Sequence, residues 1–312
     1  RQGPPVGVIA EGPISPRQPR GVRSLNVPAL LQPAWLALAG MMSAPPRREA
    51  VELMDEPVLD PVELAVNLRD IRRVNRLGGG TAAVLAALPA LLAEVPPDRE
   101  ATVLDLGTGS GDIPLAIARW SRRRGRPIRV VASDVSDEIL AAATPIVADE
   151  PRIELARHDA RAVRLPDRSF DVVLCSMTLH HFPPHDAVAV LREMHRLARH
   201  GFVLNDLARS RRGYAGALLS SRIATRNRMT RHDAPLSVLR AYTPDELRDL
   251  LMRAGIEGAV VRRRPLFRMT AVKQQHCGQR HADPSPGTIT SIDPPLPGPT
   301  AGSALNAQGR PW

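Results

Sequence analysis

The sequence predicts an α/β fold, a mostly parallel sheet with helices on both of its faces. Two observations lead there. Between residues 101 and 272, apolar runs of strand length alternate with helix-length amphipathic stretches, which is the pattern of βαβ units. The first of those runs, Val103-Leu104-Asp105-Leu106, turns through Gly107, Gly109 and Gly111 directly into a helix, and the second ends near an acid, Asp134.

In order, the elements begin at Asp60-Pro61-Val62-Glu63, a helix start with Asp as N-cap, Pro at the first helical position and an early acid. That helix is expected to stop at Gly78-Gly79-Gly80, and an Ala- and Leu-rich helix follows over 82–94. Strands are predicted at 101–106, 128–133, 153–157, 170–176 and 201–205, with helices at 112–123, 137–148 and 186–198. Thr243-Pro244-Asp245-Glu246 is a capping box opening a helix to residue 254, and 258–263 with 266–272 read as a closing strand pair. The stretch 207–241 is longer than a simple connection needs. It mixes Tyr214, Leu218, Leu219 and Ile223 with Arg211, Arg212, Arg222 and Arg226. A helical lid with one apolar face would suit a lipophilic acceptor, its arginines pairing with an acidic group or lipid headgroups; a solvated helix carrying routine arginines fits the same residues equally well.

Both ends differ from this middle. Residues 1–50 hold nine of the 31 prolines and 273–312 hold seven, neither with helical periodicity. Such segments bury too little apolar surface to offset chain entropy and are expected to be disordered. The first methionines are Met41 and Met42, so residues before them also read as an upstream, non-native extension. The apolar stretch 27–40 imitates a signal segment, but Pro28 and Pro33 interrupt it. The division is therefore an extension (1–50), N-terminal helices covering the site (51–100), the main domain (101–272, lid 207–241) and a tail (273–312).

A hydrophobic fraction of 43% supports a real core, and no apolar run reaches transmembrane length. Cys175 and Cys277 lie far apart without C-x-x-C spacing, which excludes a disulfide framework and suits a reducing, cytoplasmic setting. The formal net charge of +10 raises nucleic acid as a partner. Two features argue against it. Lys273 is the sole lysine, a genome-bias signature, and six Arg against two Glu lie in residues 1–50, outside the core. A small molecule is the expected partner; the oligomeric state is not legible.

The glycine turn with Asp134 at the end of the next strand is a nucleotide-cofactor constellation: glycines permit close approach to the backbone, and the acid can accept ribose hydroxyls. A dinucleotide fingerprint would need a third glycine where Asp112 or Pro114 stands. A carboxylate at the helix mouth would also repel a pyrophosphate. The chain here resembles the class I S-adenosylmethionine-dependent methyltransferases over about residues 60–272. The match is carried by Asp105-Leu106-Gly107-Thr108-Gly109-Ser110-Gly111, by Asp134, by His158-Asp159-Ala160 and by the run from Phe170 to Ser176 followed by Leu179-His180-His181-Phe182. It implies a Rossmann-like methyltransferase fold with a mostly parallel seven-stranded sheet and a closing antiparallel pair. It also implies that S-adenosylmethionine is held by Asp105, Gly107, Thr108, Gly109, Gly111, Asp134, Val135, Asp159, Ala160 and Ser176. Asp159 would take the adenine amino group, the Ala160 amide an adenine ring nitrogen, and backbone near Ser176 the methionyl part. Leu-His-His is similar to quinone-biosynthesis and related small-molecule members. Residues 72–79 and 230–237 resemble bacterial members encoded beside polyketide synthases.

Methyl transfer needs orientation and exclusion of water more than it needs new covalent chemistry. A phenol-like acceptor has a pKa near 10, so a histidine can assist its deprotonation. His181 and His180, following the fourth strand, are the candidate bases. Asn205 and His232 are candidate substrate-side residues, as is Asp206. His180, His181 and His185 raise metal binding, but neighbouring histidines do not easily face one ion, and no metal is expected. The expected function is methylation of a small lipophilic phenolic, quinone or polyketide-like acceptor. An RNA or protein methyltransferase and a non-catalytic cofactor-binding protein remain open.

Overall fold

A computed structural model describes residues 44–56 and 59–275, together with Gly3; the expectations for the other residues of 1–43 and for 276–312 lie outside the described residues. Seven strands form one sheet: β1 (Ala101–Leu106), β2 (Ile128–Asp134), β3 (Ile153–Arg157), β4 (Phe170–Ser176), β5 (Ala198–Leu207), β6 (Val260–Arg264) and β7 (Arg268–Gln274). Their spatial order is β3-β2-β1-β4-β5-β7-β6. The first five are parallel, and β7 runs antiparallel to both β5 and β6. This is the Rossmann-like, mostly parallel sheet with its closing antiparallel pair.

Strand alternation decides the two faces. Val103, Val172, Leu174 and Val203 point to one side and pack with Leu88, Leu91, Ile113 and Ile117. Leu104, Val173, Cys175, Phe202 and Leu204 point to the other and pack with Leu191, Met194, Leu247 and Leu251. Among the described residues the α-helices are α1 (Pro61–Leu77), α2 (Gly80–Leu91), α3 (Asp112–Arg124), α4 (Asp137–Val147), α5 (Pro184–Leu197), α6 (Arg211–Ala224), α7 (Arg228–Arg240) and α8 (Pro244–Arg253). The predicted caps form: the Asp60 side chain accepts from the Val62 and Glu63 amides, and Thr243 with Glu246 makes the reciprocal capping box. No helix among the described residues is long and apolar enough to cross a membrane.

Several boundaries, and the placement of one helix, depart from expectation. Strand β5 begins at Ala198, because Phe170 pairs with it across a register shift before the ladder resumes at Val172 and Gly201. Strand β7 runs to Gln274, so residues 273 and 274 belong to the sheet and not to the tail, and Gln275 beside them donates to the His195 carbonyl. At the other end, Arg47 donates to the carbonyls of Phe182 and Arg240, and the Arg48 amide to that of Leu239, so residues 47 and 48 strap onto the body. Of the two N-terminal helices, α1 lines the cavity below, but α2 lies on the sheet and lines none of it.

The lid segment folds as α6 and α7, with the inner face of α6 reversed from expectation. Gly213, Gly216, Ala217 and Ser220 face the cavity, while Leu219 and Ile223 are exposed. Small residues are needed there because the helix backbone closes on Phe267: a Cβ on Gly213 would sit 3.1 Å from the Phe267 Cγ.

Candidate active site

Between β1 and β4 the strand order reverses direction, the switch point at whose carboxyl ends ligands of such sheets bind. One cavity of about 970 Å³ opens at this point. It is at the upper end of the range for small-molecule sites, so it has room for a cofactor and an acceptor together.

Its first half is the β1–α3 turn. Gly107 has φ 71°, and a Cβ there would lie 2.4 Å from the Thr178 Cγ2, so neither the angle nor the space admits a side chain. Gly111 lies behind the cavity wall, where a Cβ would meet Val147 at 2.8 Å. Asp105 is buried; its Oδ2 accepts from the Thr108 hydroxyl at 2.8 Å, and its Oδ1 has no partner. Burial, with Asp112 and Asp134 nearby, pushes its pKa up to about 7 against the opposing Thr108 bond. A buried acceptor left without a donor is costly, and here it borders the cavity. It fits a ligand that brings an N–H or a positive charge, as the methionyl ammonium and sulfonium of S-adenosylmethionine would.

Asp134 ends β2 with its Oδ2 accepting from the Gly109 amide at 3.2 Å and its Oδ1 from the Val135 amide at 2.9 Å. It therefore braces the glycine loop as well as facing the cavity. Asp134→Ala is expected to weaken S-adenosylmethionine binding by roughly ten- to a hundredfold, the loss of hydrogen bonds to a carboxylate. Melting temperature should fall with it, because three amides lose their acceptor. Calorimetric titration beside a thermal melt checks both.

His158, Asp159, Ala160, Val135 and Ser176 also line the cavity. The Asp159 carboxylate is held by Arg161 Nη2 at 2.7 Å, and Arg161 also reaches Asp186. Any role at an adenine ring is thus shared with Arg161. Asn205 does not reach the cavity: fully buried, it donates to Ser176 Oγ at 2.8 Å and positions that residue from behind. His232 points away from the cavity, half-exposed, with its Nδ1 2.8 Å from Asp233. Neither placement matches the substrate-side position expected from sequence.

The second half is a cluster the sequence showed only in part. His180 is buried, its Nδ1 2.7 Å from Asp206 Oδ1 and its amide donating to Asp206 Oδ2 at 3.0 Å. His181 has its Nδ1 2.9 Å from Asp55. Both Nε2 atoms turn toward Glu52, at 3.8 Å and 4.0 Å. Glu52 is buried, accepts from the Ser237 hydroxyl and leaves Oε1 without a hydrogen bond. Arg240 bonds Asp55 at 2.9 Å, places its Nε 3.6 Å from Glu52 and donates to the His181 carbonyl. Glu52, Asp55 and Arg240 escaped the sequence reading because they come from segments far apart in the chain and share no spacing.

The two neighbouring histidines do face one point, contrary to expectation: Glu52, His180 and His181 offer ligand atoms within 4.8 Å of one another. The Arg240 guanidinium beside Glu52 already supplies positive charge there. Burial acts to lower the His181 pKa, but Glu52 and Asp55 outweigh it and raise it to about 9. With its folded pKa above the ordinary histidine value, this imidazolium contributes stability fully present below about pH 6.5 and lost as pH rises through about 9. Melting temperature is expected to fall between pH 7 and 9.5 in the native chain. His181→Gln should flatten that slope, and a slope unchanged by the substitution would contradict the assignment.

Residues 103–201 match the family model described as a methyltransferase domain. Residues 103–201 thus carry a methyltransferase domain. Among curated proteins, it is 29% identical over 106 residues to the ubiquinone/menaquinone biosynthesis C-methyltransferase of Rickettsia akari (strain Hartford), covering 33% of this chain and 42% of that one. It is 36% identical over 115 residues to the trans-aconitate 2-methyltransferase of Azoarcus sp. (strain BH72), covering 36% and 41%. The alignments thus span less than half the length of these relatives. Human N-acetylserotonin methyltransferase, solved with S-adenosylmethionine, shares the fold at a TM-score of 0.51, with 16% identity over 69% of this chain and 56% of that one. In this methyltransferase domain the matched segment supplies the glycine turn, Asp134 and both histidines. Glu52 and Arg240 lie outside it.

Proposed function

We propose that the protein methylates a small, largely apolar acceptor bearing an ionisable hydroxyl or an activated ring carbon: a phenolic, quinone or polyketide-like molecule. One observation carries this reading. The glycine-turn half and the two-histidine half face a single cavity. Its remaining wall is rich in apolar side chains, among them Met54, Leu59, Ile71 and Val238. A cytoplasmic setting belongs to the same reading, as does lipid contact through the exposed Leu219 and Ile223.

When bound, S-adenosylmethionine supplies a methyl group already activated for displacement. Asp105, the 107–111 turn and Asp134 would hold it, and the chain's own residues prepare the acceptor. With its Nδ1–H donated to Asp206, His180 keeps its Nε2 lone pair to take the acceptor's proton. His181, whose pKa lies at about 9, stays an imidazolium at neutral pH and stabilises the anion that deprotonation creates. On this reading the two histidines, both candidate bases from sequence, take different roles. The acid–base contribution goes to His180 and the electrostatic one to His181.

The test is to incubate the full chain with methyl-labelled S-adenosylmethionine and a panel of naphthols, catechols and hydroxyquinones, beside RNA and a protein extract. Label is expected in the aromatic acceptors. Label confined to RNA or protein would replace this reading, and cofactor binding without any transfer would favour a non-catalytic role.

A further inference from the structure

The β6–β7 hairpin turns through Pro265, Leu266 and Phe267, between the paired Arg264 and Arg268. Leu266 has φ 55° and Phe267 φ 57°. This left-handed backbone is one that hairpins assign to Gly or Asn, because an L side chain is crowded in it. Burial does not compensate, since Leu266 is 63% and Phe267 40% exposed. The turn is nevertheless held firmly. The Ala208 amide donates to the Phe267 carbonyl at 2.7 Å, and the next residue, Arg268, is a buried arginine bonded to Asn75 and Met177. Strained backbone that persists because its surroundings fix it points to a function for the side chains so displayed.

Those side chains line the cavity, and so does the helix opposite them. Helix α6 presents Gly213 and Gly216 to the Phe267 ring, with a Cβ on Gly216 falling 3.7 Å from Cε2. In the sheet order, β7 and β6 lie beyond β5, on the side of Asp206 and away from the β1–β2 cofactor end. The tip therefore belongs to the acceptor half.

We propose that the Leu266–Phe267 tip is the specificity-determining wall for the acceptor, kept in a strained turn so that Phe267 lies against a planar, apolar, fused-ring molecule. This deepens the methyltransferase reading and rests on it. A ring backed by a helix stripe without bulky side chains presents a flat apolar surface, which favours offset stacking with another ring over the packing of a flexible chain. The polar histidine cluster then meets the hydroxyl end of the same molecule.

The probe is 2-naphthol, titrated by its own fluorescence in the full chain, with S-adenosylmethionine titrated separately. Replacing the tip by L266N/F267G supplies residues that accept the left-handed backbone. The melting temperature should stay within about 3 °C of the native value or rise. The 2-naphthol dissociation constant should increase at least tenfold, with S-adenosylmethionine affinity unchanged. Phe267→Leu, which keeps apolar bulk but removes the ring, should lose most of the same affinity and stands in if the double variant does not fold. Unchanged 2-naphthol binding in Phe267→Leu overturns the proposal. So does a double variant that folds but loses naphthol and S-adenosylmethionine binding together with a large fall in melting temperature, because the tip is then ordinary packing. If the native chain binds 2-naphthol but not S-adenosylmethionine, it is the methyltransferase reading that fails.

Discussion

His180→Ala is expected to slow the methyl-transfer step by roughly a hundred- to ten-thousandfold while S-adenosylmethionine binds nearly as before. The expectation follows from the buried Asp206, which takes the Nδ1 proton and leaves Nε2 as the basic atom. Asp206→Asn should reproduce part of the loss with the imidazole still in place, because the ring is then free to adopt the other tautomer. Burial alone would raise the Asp206 pKa, but the interactions with His180 and the Leu207 amide hold it below the ordinary carboxylate range. Asp206 therefore remains an acceptor at neutral pH. Single-turnover rates separate the roles: His180→Ala should lose the methyl-transfer step itself. His181→Gln should lower the rate less and remove a decline that begins near pH 9, where the neighbouring imidazolium discharges. A native rate in His180→Ala would remove this residue from the mechanism and contradict the assignment of the base.

Gly107→Ala is expected to abolish cofactor binding at accessible concentrations and to destabilise the fold by about 2–5 kcal/mol. Two independent costs combine: an L side chain at φ 71°, and a Cβ placed 2.4 Å from Thr178 Cγ2 and 2.5 Å from its Oγ1. Thr178 cannot step aside freely, since its hydroxyl donates to the Gly107 carbonyl at 3.1 Å, tying the β4 loop to the glycine turn. Gly125→Ala is the control. It shares the left-handed backbone, with φ 59°, but meets no atom within 4 Å and lies at the far end of α3. It should cost stability and leave S-adenosylmethionine affinity intact. If both substitutions leave affinity unchanged, the turn is not the cofactor's seat.

What was legible in the sequence is what contiguous residues decide. The strands from β1 to β5 declare themselves by apolar runs, and the glycine turn and Asp134 sit at their carboxyl ends wherever such units assemble. The caps at Asp60 and Thr243 are equally local. The inner face of α6 was not legible, because apolar side chains predict what a helix buries and here the cavity side is marked by small residues. The contributions of Glu52, Asp55 and Arg240 depend on residues 51–56 and α7 closing over the histidines, a contact across more than a hundred residues. Asn205 and His232 had suitable chemistry at suitable positions along the chain. Whether a side chain at a strand end faces the cavity or the layer behind is set by local twist and neighbours, and Ser176 takes the Asn205 amide.

The most direct measurement is calorimetric titration of the full chain with S-adenosylmethionine at neutral pH, beside Asp105→Ala. Asp105 holds the one buried carboxylate oxygen of the glycine turn that has no hydrogen-bond donor. The predicted result is saturable one-to-one binding that weakens at least tenfold in Asp105→Ala. Because the pKa of Asp105 stands at about 7 in the free protein, binding a cationic ligand should also release protons near that pH, so the observed heat should depend on the buffer. Absence of saturable binding in the native chain, or equal affinity in Asp105→Ala, would contradict the account.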